Sequence, residues 1–253
     1  MKKIIGQIPN FITSLNLASG FLAIIFAIDG HLIWAGLFIC LASVFDFLDG
    51  FAARLLHAYS EVGKQLDSLA DIVSFGLAPG AILFTLFEFS LFEKNLPIYQ
   101  ISGQWYEWLI LFSSFLIPVF GAIRLARFNT FSSDEPFFRG LPIPANALLW
   151  ASLGLILQFP GKEELFQLVY STKNLLFLCI FTSGMMVINL PMFSLKFKSV
   201  SLKENWYRYL FLAISTTFII TLKAYGLSLS IFLYIVLNVI FYLLKIEFYK
   251  DSE

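Results

Sequence analysis

Between residues 46 and 71 the chain reads DFLDGFAARLLHAYSEVGKQLDSLAD, and four of its seven aspartates, Asp46, Asp49, Asp67 and Asp71, fall in this stretch. Asp46, Asp49, Gly50, Ala53 and Arg54 are related as i, i+3, i+4, i+7 and i+8, which places them along one stripe of a helix. Gly63, Asp67 and Asp71 follow as i, i+4 and i+8 on the next helix. The intervening turn, residues 57–62, is short enough to make the two helices antiparallel neighbours, so the carboxylate stripes can face each other across a cleft. Four oxygen ligands without His or Cys thiolate at metal spacing suit a hard divalent cation such as Mg²⁺ or Mn²⁺ and suit zinc poorly. Two such ions roughly 3.5 to 4 Å apart would neutralise carboxylates that otherwise repel one another, and would form a clamp for a pyrophosphate and for in-line displacement at phosphorus. Gly50, Ala53 and Gly63 lack bulk on the same stripes and would let a ligand approach the backbone closely. Arg54 can contact a ligand phosphate or hold the carboxylates in place.

The elements that carry these residues must be membrane helices. Of 253 residues, 58% are apolar and only 13% charged, with 30 Phe, and the mean hydropathy is +0.80. A soluble domain carries roughly 25% charge, so the solvent of this chain is largely lipid. Apolar stretches run approximately from Phe11 to Ile28, Leu32 to Leu56, Leu69 to Phe92, Trp105 to Phe128, Ile143 to Phe159, Leu175 to Phe193, Tyr207 to Leu222 and Leu227 to Phe248. The expected fold is therefore an all-α polytopic bundle of about eight transmembrane helices, one membrane-embedded domain spanning residues 1–253, without a cleavable leader, internal repeat or separate soluble domain. The segment 159–173 mixes charge with apolar residues and reads as an amphipathic turn lying on the membrane surface.

Net charge is zero, which argues against nucleic acid as a partner. The placement of charge is informative instead. With the N-terminus inside, Lys2, Lys3, Arg54, Lys64, Arg124, Arg127, Arg139, Lys196, Lys198, Lys203, Arg208, Lys245 and Lys250 gather on the inner side, 13 of the 17 basic residues, leaving Lys94, Lys162, Lys173 and Lys223 outside. Both termini and the aspartate cleft are thus expected to face the cytoplasm. Cys40 and Cys179 read as small buried hydrophobes, and His31 and His57, with no partner at metal spacing, as structural. Pro79, between Gly76 and Gly80, is expected to kink the third helix.

A carboxylate in a membrane helix costs roughly 2.5 to 3.5 kcal/mol even on the lenient insertion scale, so four near one depth require compensation. A polar helix-helix contact with Asp-Arg pairing is the purely structural alternative, but one Arg54 does not balance four carboxylates without a cation. A carboxylate-based transporter is the alternative of another class. It calls for inverted repeats and acidic residues at the bilayer midplane, and the sequence shows neither.

The spacing Asp46-x2-Asp49-Gly50-x2-Ala53-Arg54-x8-Gly63-x3-Asp67-x3-Asp71 resembles, at all eight positions, the signature of the CDP-alcohol phosphatidyltransferases. IPNFITSLNLASGF at 8–21, DIVSFGLAPG at 71–80, RLARFN at 124–129 and FRGLPIPANA at 138–147 look like the phosphatidylserine synthase branch of that family. The resemblance implies a six-helix core over about residues 8–193 with further C-terminal helices over about 207–248, and a two-metal site held by the four aspartates. It implies transfer of a phosphatidyl group from CDP-diacylglycerol to L-serine with release of CMP, Asp71 as general base, and a possible homodimer in the membrane. Pro9, Asn10, Thr13 and Asn16 look like the polar stripe that faces cytidine in the family; helix capping by Asn10 or Thr13 is the structural alternative. Arg124, Arg127 and Arg139 can take the serine carboxylate or a lipid phosphate, or serve only as inner-side anchors. Glycerol 3-phosphate or inositol phosphate as acceptor, and an archaeal-type ether lipid as donor, are the alternatives within the family.

Overall fold

The computed structural model describes residues 6–130, 137–159, 163–195 and 201–244. Of the basic residues in the charge count, Lys2, Lys3, Lys162, Lys196, Lys198, Lys245 and Lys250 lie outside them. Helices α1 (Ile8–Ile28) and α2 (Leu32–Leu55) form a hairpin. A single long run follows, made of α3 (Glu61–Asp71), a π-helical turn (Ile72–Leu77) and α4 (Ala78–Phe92). After it come α5 (Trp105–Ser113), α6 (Leu116–Thr130), α7 (Ile143–Ile156), the short α8 (Glu163–Tyr170), α9 (Thr172–Val187), α10 (Leu202–Leu222) and α11 (Ala224–Leu243).

This is a polytopic helical membrane protein. Among the described residues, five runs are long and apolar enough to cross a bilayer: Ile8–Ile28, Leu32–Leu55, Glu61–Phe92, Trp105–Thr130 and Ala224–Leu243. Phe21 and Phe47, 58% and 66% exposed, are two of many large apolar side chains on the outer surface, a pattern that only a lipid solvent makes inexpensive. Two expected spans are shorter than the hydropathy suggests. Helix α7 ends at Ile156 rather than Phe159, and α9 ends at Val187 rather than Phe193. Pro191 explains the second difference: it has no N–H to continue the ladder and biases Leu190 toward an extended backbone. Residues 191–193 instead become strand β2 (Pro191–Phe193), which pairs antiparallel with β1 (Phe137–Arg139) in the register Phe137 with Phe193 and Arg139 with Pro191. Residues 163–170 of the segment expected to lie on the membrane surface form α8; residues 160–162 are outside the described set.

Small side chains let the first helices approach closely. Ala23 and Ala27 of α1 and Ala35 and Ala42 of α2 are fully buried, together with Ile39. Helix α1 also packs on α3, the π turn and α4, while α2 packs on α7. The closest approach to the long run is at Gly20, where a Cβ would stand 2.2 Å from Ser74 Oγ. Ser74 in turn donates a hydrogen bond of 2.9 Å to the backbone carbonyl of Asn16. Gly20→Ala is therefore expected to separate α1 from the π turn and break that bond, destabilising the protein by about 1 to 3 kcal/mol. Thermal unfolding in detergent checks this; an unchanged midpoint would show that the contact is soft.

The local irregularity that positions the site is the π turn. Pro79 has no N–H for the carbonyl of Phe75, and the helix widens in the turn immediately before it. The π turn begins at the residue after Asp71. Helices α10 and α11 form a second hairpin that docks through α11 on α7.

Candidate functional site

Helix α3 begins where the sequence can start it. Ser60 has extended backbone (φ −146°, ψ 149°), its Oγ accepts from Gly63 N–H at 2.9 Å, and Glu61 stands in the first, electropositive turn. Upstream, α2 closes at Leu56, and His57 takes a left-handed φ of +50°. That reversal turns the chain so that the aspartates of α2 and α3 meet.

Asp46, Asp49 and Asp67 each offer a carboxylate oxygen, and these oxygens lie within 4.8 Å of one another. Asp49 is 5% exposed; Asp46, Asp67 and Asp71 are partly buried. Asp71 adjoins the triad and feels the charges of Asp46, Asp67 and Asp49. Helix α1 supplies neutral partners. Asn16, fully buried, donates from Nδ2 to Asp71 Oδ1 over a long 3.4 Å. Thr13, also buried, stands beside Asp49, and its hydroxyl donates to the carbonyl of Pro9 at 3.0 Å. The N-cap of α1 is Gln7, and no side chain caps it. Thr13 and Asn16 therefore face the carboxylates rather than a helix end, while Asn10 donates to the Gln7 side chain at 3.1 Å.

The small residues divide in two. A Cβ at Gly50 would find only the Arg54 guanidinium, at 3.9 Å, so the α2 side of the cleft has room beside the carboxylates. At Gly63 a Cβ would meet Asn10 Oδ1 at 2.9 Å and Ser60 Oγ at 3.0 Å. Gly63 thus lets Asn10 of α1 approach the start of α3. Ala53 is partly buried and Arg54 exposed.

The three downstream arginines separate. Arg124, on α6, is 8% exposed and interacts electrostatically with Asp71 and with Tyr234 of α11. Arg127 is exposed and donates from one guanidinium nitrogen to the carbonyl of Val187 at 3.2 Å, tying α6 to the end of α9. Arg139 is exposed on β1. Two neighbours lie beyond what spacing can indicate. Asn129 donates to Ser68 Oγ at 2.9 Å, joining α6 to α3, and Tyr234 of α11, 110 positions away in sequence, lies within electrostatic reach of Arg124.

The donor set fits a hard divalent cation on this geometry alone. Three carboxylate oxygens converge within ligand reach, the group contains no His or Cys, and Asp49 Oδ2 is buried with no hydrogen-bond partner. A buried carboxylate oxygen without a donor is costly, and a cation would satisfy it.

The family model described as CDP-alcohol phosphatidyltransferase matches residues 6–192. The chain belongs to the CDP-alcohol phosphatidyltransferase family. Among the relatives of this phosphatidyltransferase, the CDP-diacylglycerol–serine O-phosphatidyltransferase of Helicobacter pylori (strain J99) is 29% identical over 248 residues, covering 97% of this chain and 96% of that protein. The enzyme of the same name from Mycobacterium bovis is 30% identical over 253 residues, covering 97% and 79%. Archaetidylserine synthase of Methanothermobacter thermautotrophicus is 33% identical over 153 residues, 58% of each chain. The family match contains all four aspartates and ends inside β2, before α10 and α11.

Proposed function

We propose that this phosphatidyltransferase moves the phosphatidyl group of CDP-diacylglycerol to the hydroxyl of L-serine, giving phosphatidylserine and CMP. The observation that carries the reading is the convergence of Asp46, Asp49 and Asp67, with Asp71 beside them, in a chain whose relatives along almost its full length bear that activity in their names. Asp46, Asp49, Asp67 and Asp71 would hold Mg²⁺ or Mn²⁺. When bound, two such cations supply charge neutralisation for the pyrophosphate and for the departing CMP.

The chain's own residues supply the rest. Asp71 takes the proton of the serine hydroxyl as the new O–P bond forms to the diacylglycerol phosphate and the P–O bond to CMP breaks, with the electron pair leaving on CMP. Asn16 orients Asp71 through its amide, and Arg124 offsets part of the carboxylate charge. Asn10, Thr13 and Gly50 line the side of the cleft where the nucleotide lies, and Arg54 stands at its exposed end. Arg124 and Arg139 attract the serine carboxylate, since a guanidinium fork matches a carboxylate in shape and charge. The distribution of basic residues supports a site and both termini on the cytoplasmic side.

A panel of labelled alcohols with CDP-diacylglycerol and purified protein tests this. L-serine is expected to be incorporated with stoichiometric CMP. Incorporation of glycerol 3-phosphate or inositol phosphate in its place would move the assignment to another acceptor. The likeness to archaetidylserine synthase makes an ether-linked CDP-lipid the second donor to include.

A further inference from the structure

Strands β1 and β2 have three residues each, and a two-stranded ribbon of that size does not hold itself together in isolation. Its stability has to come from neighbours. One end is anchored at Gly140, whose φ of +72° lets its N–H reach the carbonyl of Leu190 at 2.9 Å and lets Leu141 N–H reach that of Met185 at 2.8 Å. A Cβ at Gly140 would stand 2.6 Å from the carbonyl of Met186, so only glycine fits.

The other end is gripped by α11. Both backbone groups of Phe193 are taken by two side chains one helical turn apart: Tyr234 donates its hydroxyl to the Phe193 carbonyl at 2.9 Å, and Asn238 Oδ1 accepts from the Phe193 N–H at 2.8 Å. Asn238 Nδ2 donates to the carbonyl of Tyr234 at 2.7 Å, which locks the amide with its oxygen toward the strand. All three residues are buried, with Asn238 fully so, and the Phe193 ring packs on Tyr234 at 5.0 Å and Tyr207 at 5.3 Å between centroids. Phe193 is the register partner of Phe137, two residues before Arg139 on β1. Tyr234 borders Arg124 as well. One helix therefore grips the strand pair that carries Arg139 and lies within electrostatic reach of the buried arginine near Asp71.

We propose that α11 is a positioning element of the acceptor subsite, with Tyr234 and Asn238 as its positioning residues. The inference rests on the reading that Arg124 and Arg139 attract the acceptor carboxylate. The carboxylates that grip the donor pyrophosphate stand on α2 and α3, which α1 holds together; the acceptor arginines stand on α6 and β1, and α11 grips the strand pair to which β1 belongs while Tyr234 lies within electrostatic reach of Arg124. Loosening the clamp should spread the arginines without disturbing the aspartates.

The test is steady-state kinetics on the full-length protein in lipid nanodiscs, with serine and CDP-diacylglycerol varied separately. Tyr234→Phe and Asn238→Ala are expected to raise the KM for serine about tenfold, with kcat and the KM for CDP-diacylglycerol within about twofold. An unchanged serine KM, or an equal rise in both KM values, overturns the proposal. If Asn238→Ala does not accumulate in membranes, Tyr234→Phe, which keeps the ring and removes only the hydroxyl, decides alone. Arg124→Ala and Arg139→Ala are measured alongside. If neither raises the serine KM, the acceptor reading fails and the clamp proposal falls with it. If they raise it and Tyr234→Phe does not, the clamp proposal alone is overturned.

Discussion

Asp71→Asn is expected to lower CMP release by about 10³-fold or more while leaving the protein folded in the membrane. The amide at this position keeps the volume of the carboxylate and an oxygen that can still accept from Asn16 Nδ2, so packing against α1 is preserved. The substitution removes the group proposed to take the serine proton and one of four negative charges. Three carboxylates repel Asp71, and one guanidinium, that of Arg124, attracts it. Removing the charge therefore relieves net repulsion, and the metal-free variant should unfold at the same temperature as the parent or a higher one. Activity and stability move in opposite senses, as they do where a site is held together against its own electrostatics. Near-normal turnover in Asp71→Asn would sink the assigned role. A parallel fall in midpoint and activity would instead trace the loss to misfolding.

The second large effect is on removal of divalent cations. EDTA is expected to reduce CMP release to background, and Mg²⁺ or Mn²⁺ to restore it. A second readout needs no turnover. A cation that binds only the folded protein stabilises it by RT ln(1 + [L]/Kd), about 2.7 kcal/mol at a hundredfold excess over Kd, so the unfolding midpoint should climb with added Mg²⁺. Asp49→Asn should flatten that climb, because Asp49 is the most buried of the four carboxylates and its Oδ2 has no hydrogen-bond donor. Turnover that survives full chelation, or a midpoint indifferent to the cation in the parent protein, would remove the metal from the reading.

Much of the donor half of the site is legible in the chain because its logic is local. Asp46 and Asp49 share a stripe, as do Gly63, Asp67 and Asp71, since 3.6 residues per turn leave no other arrangement once the segments are helical. Helicity is itself dictated by a lipid solvent that leaves backbone groups no partners but their own. The scarcity of Asp makes the cluster stand out. The acceptor half is less legible. Arg124, Arg127 and Arg139 look equivalent as basic residues near helix ends, yet burial near Asp71 separates the first, and the second ties one of its guanidinium nitrogens to the Val187 carbonyl. The strand pairing that carries Arg139 joins segments more than 50 residues apart, and three-residue strands leave no periodicity to read.

From the sequence alone came the solvent, the helical stripes and the oxygen-only donor set, because each depends on residue type and on spacing within one or two turns. Tertiary structure decided that Thr13 and Asn16 face the carboxylates and that Gly63 makes room for Asn10. It also decided that α11 reaches back to Phe193 through Tyr234 and Asn238. These pairings depend on which helix faces which and at what depth. The packing of small residues across Gly20 and Ser74, the π turn before Pro79 and the left-handed His57 determine that, and the spacing of residues along one helix carries no record of it.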